Sequence, residues 1–295
     1  MMMDEEVFEV NEFAGQLKKC ACEHLFDDEC YSRIENVQRQ FGSLMSHYII
    51  WETVLSHEDK TVDCSILHPY HTPYGKNYGI ELDYETCRKE NIVPCYGVNT
   101  SKVTDTRSLF SAARKLLIKV IPKEVIITLW PRLEKISNMA FDWGGGVSDI
   151  AYMRGRTADA KLKMYLQYLT PEAVLGILKD LAWDGNLSAL ENLLNEYAPY
   201  CKSNRFMIDF NVGRQGISSK INVCISLKDQ QEETVAAFLS HLIDNGLCLP
   251  EKASDVMKFI KAGSPHIQNH ITQFKLPFVG DRVTMAKVYL GQKTK

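Results

Sequence analysis

Polar and apolar side chains alternate along residues 160–168, AKLKMYLQY: Lys161, Lys163, Tyr165 and Gln167 stand against Leu162, Met164 and Leu166. A period of two predicts a strand with unlike faces. SKINVCISL (219–227) and AKVYLGQ (286–292) repeat the pattern, with Lys220 and Asn222, then Lys287 and Tyr289, on the polar side. Other stretches follow the helical period. Residues 32–45, 106–121, 123–137, 171–200, 231–246 and 251–263 read as helices, with Pro131 as a kink or break and a further break at DGN (184–186). Thr170 suits an N-cap, followed by Pro171 at the first helical position. Residues 47–56 and 61–70 read as a hairpin, 71–79 as a turn-rich aromatic loop and 80–92 as a short helix; 138–146 reads as strand-like. Two further hairpins are expected at 205–227 and 266–292.

The order that results is helices, strand, turn, strand, repeated at unequal intervals, which is too irregular for a solenoid of fixed period. It fits an α/β fold built of repeated α-α-β-β units. The expected form is a closed antiparallel β-barrel of about ten strands with solvent-facing helices outside. The whole chain, 1–295, reads as one domain, with 1–30 as a helical lead-in. With helices packed outside, the Leu, Met, Ile and Val faces meet the helices, and the lysine and tyrosine faces look inward. Cations facing one interior repel unless an anion or water lies between them. A polar lumen for a phosphate-bearing ligand is the inference; an open sheet with hydrated lysines is the alternative.

Composition narrows the function classes. The 295 residues are 45% hydrophobic and 24% charged, with 34 basic against 37 acidic side chains and a net charge of -3. No basic block marks a nucleic-acid binder, and no apolar run approaches a membrane span. Nine scattered cysteines and no signal-peptide pattern suggest a cytoplasmic protein. Cys20, Cys22, His24 and Cys30 lie outside common zinc spacings and read as reduced thiols and a histidine, with no metal site. His266 and His270 lack a third ligand, DWGGGVSD (142–149) lacks the Gly-Lys-Ser/Thr step of a phosphate loop, and no nucleophile triad is present.

Three segments, AKLKMYLQYLTPEAV (160–174), DGNLSALENLL (184–194) and FMIDFNVGRQGISSKINVCISL (206–227), resemble the ABBA-type prenyltransferases, and within them the cyanobactin-type peptide prenyltransferases. The resemblance implies a barrel whose Lys-x-Tyr steps hold the diphosphate of an allylic donor. On matching strands it assigns diphosphate contacts to Lys163, Tyr165, Lys220, Asn222, Lys287 and Tyr289. His68 stands where the family carries an arginine, with Lys60 as a substitute, and Arg154 and Lys275 are further candidates. Glu52 occupies the place of the family's glutamate. Beside Trp51 it would be partly desolvated, its pKa raised, and serve as base or orient the acceptor. Trp51, Trp143, Asp142 and Tyr74 would line the acceptor and prenyl pocket.

The expected reaction moves a dimethylallyl or geranyl group from its diphosphate to a side chain of a ribosomal, often cyclic, peptide. Mg²⁺ would accompany the donor as a charge neutraliser, and the enzyme would be a monomer or weak dimer. A small aromatic acceptor, such as an indole or phenol, is the second enzymatic reading. A non-catalytic barrel holding an anionic or lipid-like ligand is the rival of another class.

Overall fold

The computed structural model describes residues 8–32, 35, 45–58, 60, 62–72, 75–82, 95–97, 122–153 and 162–295. An eleven-stranded antiparallel sheet organises it. In chain order its strands are β1 (Tyr48–Val54), β2 (Val62–Thr72), β3 (Gly75–Leu82), β4 (Cys95–Gly97), β5 (Gly146–Met153), β6 (Leu162–Leu169), β7 (Phe206–Val212), β8 (Ile221–Ile225), β9 (Ile267–Val279), β10 (Arg282–Val283) and β11 (Lys287–Thr294). The path is β3-β2-β1-β11-β9-β8-β7-β6-β5-β4, with β10 pairing only β9. The sheet curls until its edge strands β3 and β4 lie against each other. The expected continuous closure is not shown, since no ladder joins these two edges among the described residues.

Alternation decides which face meets the helices. Leu162, Met164 and Leu166 on β6, Ile208 and Phe210 on β7, Val223 on β8, and Phe274 and Leu276 on β9 are all sealed from water. They pack with Phe238, Leu239, Leu242, Val256 and Phe259 from the helices Glu232–Asp244 and Pro250–Lys261. Each such side chain contributes roughly 1.5–3 kcal/mol of burial. The opposite, concave face keeps the polar residues.

Helix ends follow their capping chemistry. Thr170 accepts from the Ala173 amide ahead of Pro171–Asp180, and Asn186 from Ala189 ahead of Leu187–Tyr197. The expected lead-in contains the helix Val10–Lys19, held by a Glu9–Glu12 capping box, with Val10, Phe13, Ala14 and Leu17 turned to the core.

Three expectations change. The helix Lys123–Asp142 runs through Pro131, its apolar stripe of Leu129, Leu133, Ile136 and Ala140 continuing past the proline. That stripe also makes 138–142 helical, and strand β5 begins only at Gly146. Residues 75–82, read as loop and helix, form β3 and pair with β2. The expected helices at 32–45 and 106–121 fall largely or wholly outside the described residues. Among the described residues, no helix is long and apolar enough to cross a membrane.

Candidate active site on the concave face

The concave face brings four lysines to two carboxylates. Register sets the layout: Tyr165 on β6 stands opposite Asp209 on β7, which stands opposite Asn222 on β8. One step along, Cys224 on β8, Lys275 on β9 and Lys287 on β11 are successive neighbours. Glu52 on β1 stands opposite Tyr289 on β11.

Asp209 is the hub of one half. It is fully buried, and its two oxygens lie 3.2 Å from Lys163 Nζ and 3.3 Å from Lys275 Nζ. Asn222 Nδ2 donates to Oδ1 at 2.5 Å, and the Cys224 thiol donates to Oδ2 at 3.7 Å. Burial would raise this carboxyl, but Lys163 and Lys275, with the Asn222 bond, outweigh it and hold its pKa low. Burial likewise opposes the charge on Lys275, and Asp209 reverses the balance so that its pKa is raised.

Glu52 anchors the other half. Lys287 Nζ donates to its Oε1 at 2.8 Å, and the Tyr289 hydroxyl donates to the same carboxylate. Desolvation pushes Glu52 upward, yet Lys275 and Lys287 prevail and keep it well below the usual carboxylate range. The expected raised pKa is therefore corrected: the lysines packed around the site hold Glu52 ionised. Tyr289 is driven the other way, by burial first and then by Glu52, and stays a neutral phenol.

The aromatic steps carry cations on their rings. Lys163 Nζ lies 4.9 Å from the Tyr165 centroid and Lys275 Nζ 4.6 Å from that of Tyr289. Lys220, exposed, immediately precedes β8 in alternation with Asn222 and Cys224. Desolvation, with repulsion from Lys287, Lys163 and Lys275, lowers its pKa. Lys163, Lys220 and Lys287 thus share one electrostatic environment, as their alternation implied. Lys275 joins them, its side chain only 5% exposed.

Other expected site residues fall elsewhere. Trp51 is one residue from Glu52 and so occupies the opposite face. It is sealed in the core, donating from Nε1 to Gln292 Oε1 at 2.9 Å and meeting Phe26 edge-on. Asp142 ends the helix Lys123–Asp142, exposed, and Trp143 caps it. Trp143 is 44% exposed and packs over Gly176 in the outer helix layer, where a Cβ would meet its ring at 2.4 Å. Trp51, Trp143 and Asp142 are therefore removed from the acceptor pocket. His68 lies on β2 with its side chain outside the described set, and Tyr74 and Arg154 lie outside the described residues.

Asp209, Cys224 and Asp149 were not singled out from sequence. Asp209 was legible, since Met207, Asp209 and Asn211 alternate with Ile208 and Phe210. No group of three His, Cys, Asp or Glu side chains among the described residues could hold a metal ion. Cys20, Cys22 and Cys30 are buried thiols beneath the lead-in, and Cys22 Sγ donates to the Asp255 carbonyl at 3.2 Å.

No protein-family model matches the chain, and no curated protein matches it significantly. Solved structures do. The prenyltransferase PriB, in a ternary complex with L-tryptophan and dimethylallyl thiolodiphosphate, aligns at a TM-score of 0.58 and 9% identity, covering 96% of this chain and 95% of that one. A 5-dimethylallyl tryptophan synthase from Streptomyces coelicolor, complexed with DMASPP and Trp, aligns at 0.56 and 12%, covering 97% and 95%. AnaPT from Neosartorya fischeri aligns at 0.55 and 10%, covering 96% and 91%. At this identity the likeness is one of architecture: the curled antiparallel sheet with helix pairs on its outer face is the fold of the ABBA-type prenyltransferases.

Proposed function

We propose that this protein transfers a dimethylallyl-type group from its diphosphate to a small aromatic acceptor such as an indole. The observation that carries this is the concave lysine set, Lys163, Lys220, Lys275 and Lys287, held in place by Asp209 and Glu52. Ionisation of an allylic diphosphate places growing negative charge on the leaving oxygens, where preformed ammonium donors are most effective. Lys220, with no carboxylate partner among the described residues, and the hydrated ends of Lys163 and Lys287 meet the anion. Lys275 and Asp209 fix their positions. Tyr165 and Tyr289 present rings to the allyl cation. A barrel closed where β3 meets β4 would keep water from the cation.

Glu52, ionised and flanked by Lys287, accepts a hydrogen bond from the acceptor's N–H or O–H and so orients it. The small aromatic acceptor replaces the peptide read from sequence, because the structures sharing this fold include complexes with tryptophan. Asp209 and Glu52 are each taken up by lysines, and the described residues form no three-ligand set. They do not fit a protein-held Mg²⁺, so Mg²⁺ is retained only as a companion of the donor's own phosphate oxygens.

The test is a mass-spectrometric assay of dimethylallyl and geranyl diphosphate against L-tryptophan, simple indoles, phenols and cyclic peptides. A gain of one isoprene unit on an indole or phenol supports the proposal. Transfer only to peptides restores the peptide reading. Donor binding without any transfer points to the non-catalytic barrel and sinks the enzymatic account.

A further inference from the structure

Alkylation of an aromatic carbon must end with loss of a proton, and the carboxylates already described are poorly placed to take it. Protonating Glu52 would neutralise the carboxylate 2.8 Å from Lys287, and protonating Asp209 would neutralise the one that lies 3.2 Å from Lys163 and 3.3 Å from the buried Lys275. A buried charge deprived of its partner is costly. A third carboxylate stands on the same wall without that burden. Asp149 on β5 is directly opposite Tyr165 on β6, at the end of the row Asp149, Tyr165, Asp209, Asn222.

A register break puts it there. Val147 pairs with Leu166 and Asp149 with Tyr165, so two steps on β5 match one on β6. Leu166 and Tyr165 face opposite ways. Val147 therefore stays with Leu166 in the core, only 2% exposed, and Asp149 swings to the concave side. Bulges of this kind re-aim side chains beside active sites. Asp149 accepts a hydrogen bond from Ser148, and among the described residues no cation pairs with it. Two strand spacings, roughly 10 Å, separate it from Asp209, with Tyr165 between them.

We propose that Asp149 is the catalytic proton acceptor, taking the proton from the alkylated ring carbon; this rests on the prenyl-transfer reading above. In the full step the donor C–O bond breaks, its electron pair leaving with the diphosphate. Ring π electrons form the new C–C bond. The ring C–H bond then breaks, its electrons restoring aromaticity and its proton passing to a carboxylate oxygen of Asp149, and from there to water. Burial raises the Asp149 carboxyl to about 6, a value suited to exchanging that proton near neutrality.

The experiment compares wild type, Asp149→Asn and Asp149→Glu, using dimethylallyl diphosphate with an indole acceptor identified by the panel above, in protonated form and deuterated at the alkylated carbon. Asp149→Asn should lower kcat by about 100-fold and expose a primary deuterium isotope effect absent from wild type. Asp149→Glu should recover part of the rate. Affinity for the unreactive dimethylallyl thiolodiphosphate, read by calorimetry, should be unchanged in both variants. A wild-type kcat in Asp149→Asn overturns the assignment, as does a rate loss without an isotope effect or with parallel loss of donor affinity. A wild-type protein that alkylates no acceptor instead refutes the transferase reading on which the assignment stands.

Discussion

Replacing Asp209 by asparagine removes the anion that holds two lysines while preserving shape. Asp209 is fully buried, with ammonium groups at 3.2 and 3.3 Å, and Lys275 has almost no access to water. Breaking a buried pair by deleting one partner costs about 3–5 kcal/mol. Lys163 is 15% exposed and recovers some hydration by swinging outward, which places the expected loss near the lower end, about 3 kcal/mol. The loss depends on pH. The folded Asp209 carboxyl is lowered, so its stabilising effect is present above the ordinary aspartate range near pH 4 and fades as pH falls through the folded-state value. In the variant, Lys275 is a buried ammonium without its anion and binds its proton less tightly than in the unfolded chain. Stability of the variant therefore rises as alkaline pH deprotonates that lysine. Urea unfolding of both proteins from acid to alkaline pH should show a deficit largest near neutrality and shrinking toward both ends. Inorganic pyrophosphate should restore part of it. A deficit below about 1 kcal/mol, the scale of a surface ion pair, or one independent of pH, would refute the hub role of Asp209.

Lys220 and Lys275 should behave oppositely on truncation. Lys220→Ala should weaken dimethylallyl thiolodiphosphate binding about tenfold, the loss of one charge-assisted hydrogen bond, and change stability by less than about 0.5 kcal/mol. Lys275→Ala should cost about 2 kcal/mol or more of stability by leaving Asp209 with less compensation; calorimetry and urea unfolding separate the two effects. Gly291 is a second place where one atom matters, because a Cβ there would meet the His270 ring at 2.6 Å and Thr272 Oγ1 at 2.9 Å. That ring stacks on Tyr48 at 5.5 Å, and the Tyr48 hydroxyl is bonded to both His270 and Thr272. Gly291→Ala should therefore destabilise by about 1–3 kcal/mol in thermal unfolding, and Gly291→Ala combined with His270→Ala should recover much of the loss.

The hairpins and the faces of their strands were legible because period-two alternation is local: Lys163 and Tyr165 on one side and Leu162 and Met164 on the other need no knowledge of the rest of the chain. The same rule, applied to Glu52, would have placed Trp51 on the opposite face. Proximity to a catalytic candidate in sequence outweighed parity in that reading. The fate of Glu52 was not legible, since its charge state depends on Lys275 and Lys287, which reach it only through the order of β1, β11 and β9. Asp149 was hidden for a different reason. Strict alternation from Val147 would put both residues on one face, and only the bulge between β5 and β6 separates them. The glycines at 144–146 drew the strand assignment backward into what is the end of a helix, where the apolar stripe through Ala140 was the better guide.

The central claim is that Lys163, Lys220 and Lys287 on one concave wall bind an allylic diphosphate, with Lys275 and Asp209 fixing their positions. Calorimetric titration with dimethylallyl thiolodiphosphate, followed by a crystal structure of the complex, tests it most directly. The account predicts a single site, weakened by salt, with the diphosphate within hydrogen-bond reach of Lys163, Lys220 and Lys287, and binding abolished in Lys163→Ala combined with Lys220→Ala. Undiminished binding in that double variant, or a diphosphate seated away from these lysines, would contradict it.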